Sequence, residues 1–266
     1  MQFEAISIEG LSHRFLSRTR PPTTALTDVT CRFPAGKVTS IVGPSGCGKS
    51  TLLLIMRGLV KASQGDVKFL YGNGAGALTP GDAPRMATVW QSFNLLPWRT
   101  VVDNVAFGME LQGVSKAERR EKAMDAIKSV ELSGFENHYP GQLSGGMKQR
   151  VGLARGMVMS PDILFLDEPF GALDAQTRLY LQEQLSSLVE KSAKTVILIT
   201  HSIEEAIFLG DHVVVMTARP GKIAASLDVD LPRPRGIDVQ NDKRFGELFS
   251  EIYGLLRDEV RKSMMN

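Results

Sequence analysis

Apolar residues recur along this chain in two different rhythms. Near the N-terminus the period is two: "AISIEGL" and "ALTDVTCRF" alternate like half-buried strands, and "FPAGK" reads as a turn between strands. "KVTSIV" reads as a short buried strand and "DVKFLY" and "RMATVW" as further strands, while "STLLLIMRGL" predicts a helix that stops near Gly58. A glycine-rich loop from Gly72 to Gly81 separates two of these strands. From about Pro97 the rhythm becomes helical. Ser115 with Glu118 is a capping-box signal, and Ala123, Met124, Ile127 and Val130 follow at helical spacing. Met147, Val151, Ala154 and Val158 continue the pattern on a second helix, and the helical block runs to about Met159. Strands return as "DILFLD", "TVILIT" and "HVVVM", separated by helical stretches, which predicts parallel strands with crossover helices. After the break "LPRPRG", Phe245, Leu248, Phe249, Ile252, Leu255 and Leu256 form one stripe of an amphipathic helix, which suits packing on its own core or on a twin.

Composition narrows the classes. The chain has 266 residues, 43% hydrophobic and 23% charged, with a net charge of +2. That bounds one sizeable core, or a core with a smaller lobe, and lacks the strong positive field of a nucleic-acid binder. Two cysteines, Cys31 and Cys47, make no disulfide framework and favour a reducing compartment. No secretory signal is visible at the N-terminus, and no apolar run approaches the ~20 residues that span a bilayer.

The segment "GPSGCGKS", Gly43 to Ser50, fits the phosphate-loop pattern G-x-x-x-x-G-K-[ST], with a predicted strand before it and a helix after. Gly46 and Gly48 let backbone N–H groups converge on phosphate oxygens, and the helix starting near Lys49 adds its N-terminal dipole. Lys49 is expected to reach the β- and γ-phosphates and Ser50 to help hold Mg2+. Cys47 inside the loop reads either as a small turn residue, the favoured reading, or as a thiol activated by a helix N-terminus.

"ILFLDEP" is a buried strand ending in two carboxylates. With a phosphate loop upstream, Asp167 suits Mg2+ and Glu168 suits a general base on the attacking water; alone, the pair would read equally as an acidic helix cap. His201 follows "TVILIT" at a strand's C-terminal end, where open α/β sheets bind ligands, although a lone histidine is usually structural. Gln91 ends "RMATVW", and its amide can meet Mg2+ or water.

"LSGGMKQR", Leu143 to Arg150, places two glycines at the mouth of a helix with no nucleophile nearby. Taken in order with "GPSGCGKST", "ILFLDEP", "GALD" and His201, it makes the chain resemble the ATP-binding cassette (ABC) family over residues 1 to about 230. The resemblance implies an α/β fold: a P-loop NTPase core with a mainly parallel sheet, an N-terminal antiparallel β part and an inserted helical subdomain. It divides the chain into 1–91 and 160–230 for the nucleotide core, 92–159 for the helical subdomain, and 231–266 for a C-terminal helical extension. It implies ATP and Mg2+, with Phe15 stacking on adenine, residues Gly43, Pro44, Ser45, Gly46, Cys47, Gly48, Lys49, Ser50 and Thr51 binding nucleotide, and Ser50, Gln91 and Asp167 at the metal. Glu168, His201 and Gln91 are the implied catalytic set. Leu143, Ser144, Gly145, Gly146 and Met147 match the signature that acts on the nucleotide of the other copy in a head-to-tail homodimer, and Asp174 matches the loop crossing that interface. Met147 departs from the usual glutamine, and Gly156 stands where alanine is expected. Gly152 and Gly156 each cost a helix about 1 kcal/mol, offset by close packing on a neighbour. A carboxylate introduced at Gly146 is expected to spare ATP binding and block closure.

A single cassette of this length is most similar to those of binding-protein-dependent importers, and "TARPGKI" resembles the nitrate, sulfonate and taurine group. The implied partners are two integral membrane permease subunits docking near Phe93–Trp98 and, indirectly, an extracytoplasmic solute-binding protein, with the chain peripheral on the cytoplasmic face of the inner membrane. Phe93, Leu95, Leu96 and Trp98 suit a protein contact or a small satellite core. The alternative is a soluble ABC ATPase of translation or DNA metabolism, or a module that binds ATP without turnover.

Overall fold

A computed structural model describes the chain except residues 1–2, 17–18, 20, 73–83, 172, 193 and 266, so most of the Gly72–Gly81 loop lies outside the described residues. In chain order the first elements are β1 (Phe3–Phe15), β2 (Thr23–Pro34), β3 (Val38–Val42), α1 (Lys49–Met56), β4 (Gln64–Tyr71) and β5 (Met86–Val89). The helices α2 (Val101–Leu111), α3 (Lys116–Ser129) and α4 (Gly145–Met157) follow, then β6 (Ile163–Asp167) and α5 (Ala175–Ser192). The chain closes with β7 (Thr195–Thr200), α6 (Ile203–Leu209), β8 (His212–Met216), β9 (Ile223–Asp228) and α7 (Lys243–Met265). The chain divides into two units, residues 1–84 with 189–266, and residues 85–188.

In the first unit β2, β1 and β4 form an antiparallel sheet in that order. The other strands run β7, β3, β8, β9, parallel except for β9. All of β3 and β7 is buried, the burial that parallel strands flanked by helices require; β7 has an unbroken apolar centre, while β3 also buries Thr39 and Ser40. β9 is an antiparallel edge with alternating exposure; "IAASLD" is too weakly apolar to announce it.

The C-terminal helix packs on its own unit, against α6 and β8, through Phe245, Leu248 and Ile252. The segment leading into it is pinned by Arg235, which is 4% exposed. Its guanidinium donates to the carbonyls of Ile207, Phe208 and Gly210 at the end of α6, and of Val229 and Leu231.

In the second unit β5 and β6 pair in parallel, from Met86 with Ile163 to Val89 with Leu166. The helix α4 lies on them, and its glycines allow the approach: a Cβ at Gly156 would stand 3.2 Å from Val89 and 3.4 Å from Leu164. The expected compensation for Gly152 and Gly156 is thus present. Thr100, Ser115 and Ser144 cap α2, α3 and α4, each accepting from an N–H three residues on. One position differs from expectation. Ala123, Ile127 and Val130 are buried, but Met124 is exposed, because it lies about 100° round the helix from Ala123. Among the described residues no helix is long and apolar enough to cross a membrane.

Candidate functional site

The phosphate loop connects β3 to α1 in the first unit. Gly46 and Gly48 have φ of 75° and 101°, a left-handed turn that a Cβ would strain. Gly48 cannot be larger, since its Cβ would meet Leu26 at 2.7 Å and the Ala25 carbonyl at 2.9 Å. It is also the N-cap of α1 and offers no side-chain cap, so the first-turn N–H groups are left to an anion. Lys49 is buried, its Nζ donating to the Gly43 and Pro44 carbonyls at 2.8 and 3.1 Å across the loop. A polyphosphate fits this cradle by backbone curvature, uncapped N–H groups and one central cation. Cys47 is 1% exposed, and burial pushes its thiol above the ordinary range despite the nearby Lys49 charge. That matches a turn-filling residue rather than an activated thiol. Phe15, at the end of β1, is 47% exposed and meets His13 edge to face at 4.6 Å. It is an available aromatic face, not a core residue. His201 is exposed directly after β7, in the turn that Ser202 closes by capping α6.

In the second unit β6 ends at Asp167, and Glu168 turns sharply with φ of 44°. A non-glycine residue in that region is held there by its surroundings, a feature that concentrates at functional positions. Gln91, two residues beyond β5, donates from Nε2 to Glu168 Oε2 at 3.2 Å, so these two predicted residues are brought together. A Cβ at Gly171 would lie within 3.7 Å of both side chains, which keeps this corner open. Asp174 caps α5, accepting from Thr177 N–H at 3.0 Å. Hydrogen bonds from Thr177 hold its carboxyl below the usual range. Among the described residues no cluster of three or more His, Cys, Asp or Glu makes a metal cage. A magnesium ion carried by substrate phosphates needs only one or two protein ligands, so it does not require such a cage.

The signature turn divides into two roles. Ser144 and Gly145 are exposed, and Ser144 Oγ accepts from Met147 N–H at 3.3 Å, leaving the hydroxyl hydrogen free to donate. Leu143 and Gly146 are buried. A Cβ at Gly146 would stand 2.6 Å from Thr177 Cγ2, so this glycine serves the contact between α4 and α5. Gly146 is therefore unsuited to the carboxylate test: substitution there disturbs packing before it meets a ligand. Met147 is half-buried.

The segment Phe93–Trp98 is held by side chains from elsewhere in its unit. Asn104, fully buried, accepts from Leu96 N–H and donates to the carbonyls of Leu96, Arg99 and Thr100. Arg155 of α4 donates to the carbonyls of Phe93 and Asn94 at 2.9 and 2.6 Å. Trp98 is left 71% exposed. Sequence reasoning missed Asn104 and Arg155. The only signal was polarity inside apolar helical stretches. It also missed that Arg219, read only as part of a turn, donates from Nε to the Gly46 carbonyl at 2.6 Å.

A glycine loop opening a helix beneath a central cation defines the P-loop NTPases. The serine-capped Gly-Gly turn on a separate helix narrows that class to cassette ATPases. The chain belongs to the ABC transporter family, whose profile matches residues 26–171. It is the ATP-binding and ATP-hydrolysing component of a transporter. It is 45% identical over 240 residues to an uncharacterized ABC transporter ATP-binding protein of Methanocaldococcus jannaschii, covering 90% of this chain and 87% of that one. It is 41% identical over 256 residues to the taurine import ATP-binding protein of Rhizobium johnstonii, covering 94% and 96%. The Escherichia coli K12 protein of that name is 43% identical over 209 residues, covering 79% and 80%. Among solved structures, a dimeric ATP-binding cassette in a post-hydrolysis state bound to ADP and Pi superposes with a TM-score of 0.72. It is 30% identical, covering 85% of this chain and all of that one.

Proposed function

We propose that this chain powers import of a small anionic or organic solute, a sulfonate such as taurine or an anion such as nitrate, through separate membrane subunits. The observation that carries the reading is the near full-length similarity, 94% of this chain, to a protein named for taurine import. The proposed working form is a homodimer closed by ATP, a form supported by the dimeric cassette with ADP and Pi. Two permease subunits dock on the segment Phe93–Trp98, whose exposed Trp98 and rigid backbone suit a protein contact. The chain then sits peripherally on the cytoplasmic face of the membrane, and an extracytoplasmic solute-binding protein presents the cargo.

In this reading Phe15 stacks on adenine, and Gly43, Pro44, Ser45, Gly46, Cys47, Gly48, Lys49, Ser50 and Thr51 wrap the phosphates. Ser50, Asp167 and Gln91 hold Mg2+, which neutralises charge on the phosphate oxygens. Glu168 accepts a proton from the attacking water, with Gln91 orienting its carboxylate and His201 at the γ-phosphate. Ser144 and Gly145 present a hydroxyl and helix N–H groups to the nucleotide of the other copy, and Asp174 lies at the crossing. Residues 1–91 and 160–230 serve the nucleotide, 92–159 carry the signature and docking segment, and 231–266 form an extension.

Uptake of labelled taurine, an alkanesulfonate and nitrate is measured in cells lacking the chain. Wild type is expected to restore one of them and Glu168→Gln none. Restoration of none by wild type removes the solute assignment. Failure of two multi-span proteins to co-purify from membranes removes the importer reading.

A further inference from the structure

We propose that Arg219 is a positioning residue of the phosphate loop, holding the Gly46 carbonyl outward so that the loop's N–H edge faces the nucleotide phosphates. The inference rests on reading Gly43–Thr51 as the ATP phosphate loop.

Arg219 lies 173 residues from Gly46 in sequence, yet its Nε donates to the Gly46 carbonyl at 2.6 Å. Its Nη2 stands 2.6 Å from where a Gly46 Cβ would be, so the guanidinium covers the outer face of that glycine. The next carbonyl in the loop is treated the same way: a Cβ at Gly221 would come within 2.0 Å of the Cys47 oxygen. Two successive loop carbonyls therefore face the Arg219–Gly221 turn.

The turn is a rigid backing. Its ends are joined by Thr217 N–H to the Lys222 carbonyl at 2.9 Å, with Lys222 N–H on Thr217 Oγ1 at 3.0 Å. It is bound to β2 through Gly221 N–H on the Ala25 carbonyl at 2.9 Å and Thr27 N–H on the Gly221 carbonyl at 3.0 Å. Ala25 and Leu26 are also the residues against which Gly48 packs. The phosphate loop is thus set between β2 and this turn.

Geometry supplies the consequence. In a trans peptide the carbonyl and the following N–H point to opposite sides. Fixing the Gly46 oxygen on a cation outside the loop turns Cys47 N–H inward, where it closes on the Pro44 carbonyl at 3.3 Å. A long hydrogen bond of that kind yields readily to a charged acceptor. Without Arg219 the peptide that follows left-handed Gly46 is free to flip and present its oxygen to the phosphates. The guanidinium is exposed and touches the loop only from outside, so it acts through the backbone.

Arg219→Ala, Arg219→Lys and Lys49→Ala are compared for ADP and ATP affinity in the full chain, at low salt and near 0.5 M salt, with MgATP turnover. Arg219→Ala is expected to weaken ADP and ATP equally, roughly three- to tenfold, the scale of one exposed charge-assisted hydrogen bond. The loss should persist at high salt, fall on KM rather than kcat, and be recovered in part by Arg219→Lys. A loss confined to ATP would mean direct contact with the γ-phosphate and would overturn positioning. A loss that vanishes at high salt would mean only a long-range field and would overturn it too. If Lys49→Ala loses nucleotide while Arg219→Ala does not, this inference alone falls. If Lys49→Ala binds ADP normally, the phosphate-loop reading falls and takes this one with it.

Discussion

Adjacent glycines at the mouth of α4 should respond to substitution in opposite ways. Gly146→Ala places a methyl 2.6 Å from Thr177 Cγ2, well inside contact distance. Thr177 sits on α5 and is β-branched, so few rotamers are open to it and either the helices part or the side chain is strained. Such overpacking costs about 1–3 kcal/mol, and replacing glycine by alanine in a helix returns about 1 kcal/mol. The net is a destabilisation of ~1 kcal/mol, or ~2–4 °C in Tm for a chain of this size. At Gly145 a new Cβ meets only Leu173, at 3.8 Å, an ordinary contact. Gly145→Asp also puts a carboxylate in the first turn of α4, where the helix dipole contributes about 0.3–1 kcal/mol. The fold should therefore be unharmed or slightly stabilised. Function should invert the order. In the proposed closed dimer a carboxylate at Gly145 would face the γ-phosphate of the other copy, and two unit charges about 4 Å apart repel by ~4 kcal/mol at an effective dielectric constant of 20. ATPase activity should fall by ~10²-fold or more, with ATP binding by the single chain near normal. Thermal unfolding, nucleotide titration and steady-state turnover on both variants test this. Wild-type turnover in Gly145→Asp refutes action across the dimer. A Gly146→Ala protein more stable than wild type refutes the packing role of that glycine.

Glu168→Gln keeps shape but loses the proton acceptor, so hydrolysis should drop by ~10²-fold or more while ATP still binds and the ATP-bound dimer accumulates on sizing. Unaltered turnover would leave Glu168 as a strand-end acid. Arg235→Lys keeps the charge but not the fork that meets five carbonyls, and should lower the urea midpoint by the equivalent of about 2–4 kcal/mol. No change would mean those carbonyls are satisfied otherwise. Burial pushes the Cys31 thiol up to about 12 and raises that of Cys47, so both stay protonated at neutral pH. Native protein should show no fast-reacting thiol with a disulfide reagent at pH 8, and two in denaturant; rapid native labelling of Cys47 would contradict its burial.

Much of the fold was legible because its patterns are local. Buried strands such as β7 read as short, mainly apolar runs, Ser115 and Ser144 announce helix starts, and the phosphate loop is a contiguous stretch whose glycines have backbone reasons to be there. The positions of Lys49, Asp167 and Glu168 at the ends of a loop and a strand were legible for the same reason: each stands at a junction with its neighbours in sequence. What only the tertiary structure decided lies in contacts between distant segments. Sequence spacing could not separate Gly145, exposed, from Gly146, pressed on Thr177, because the difference is made by α5. Nor could it place Asn104 and Arg155 behind the segment Phe93–Trp98, or Arg235 over the end of α6, since a buried polar side chain is chosen by the carbonyls that converge on it. Arg219 makes the same point at the phosphate loop. Its partner is a backbone oxygen of glycine, which carries no side-chain signature, so only the folding of the late turn against the early loop reveals the pair.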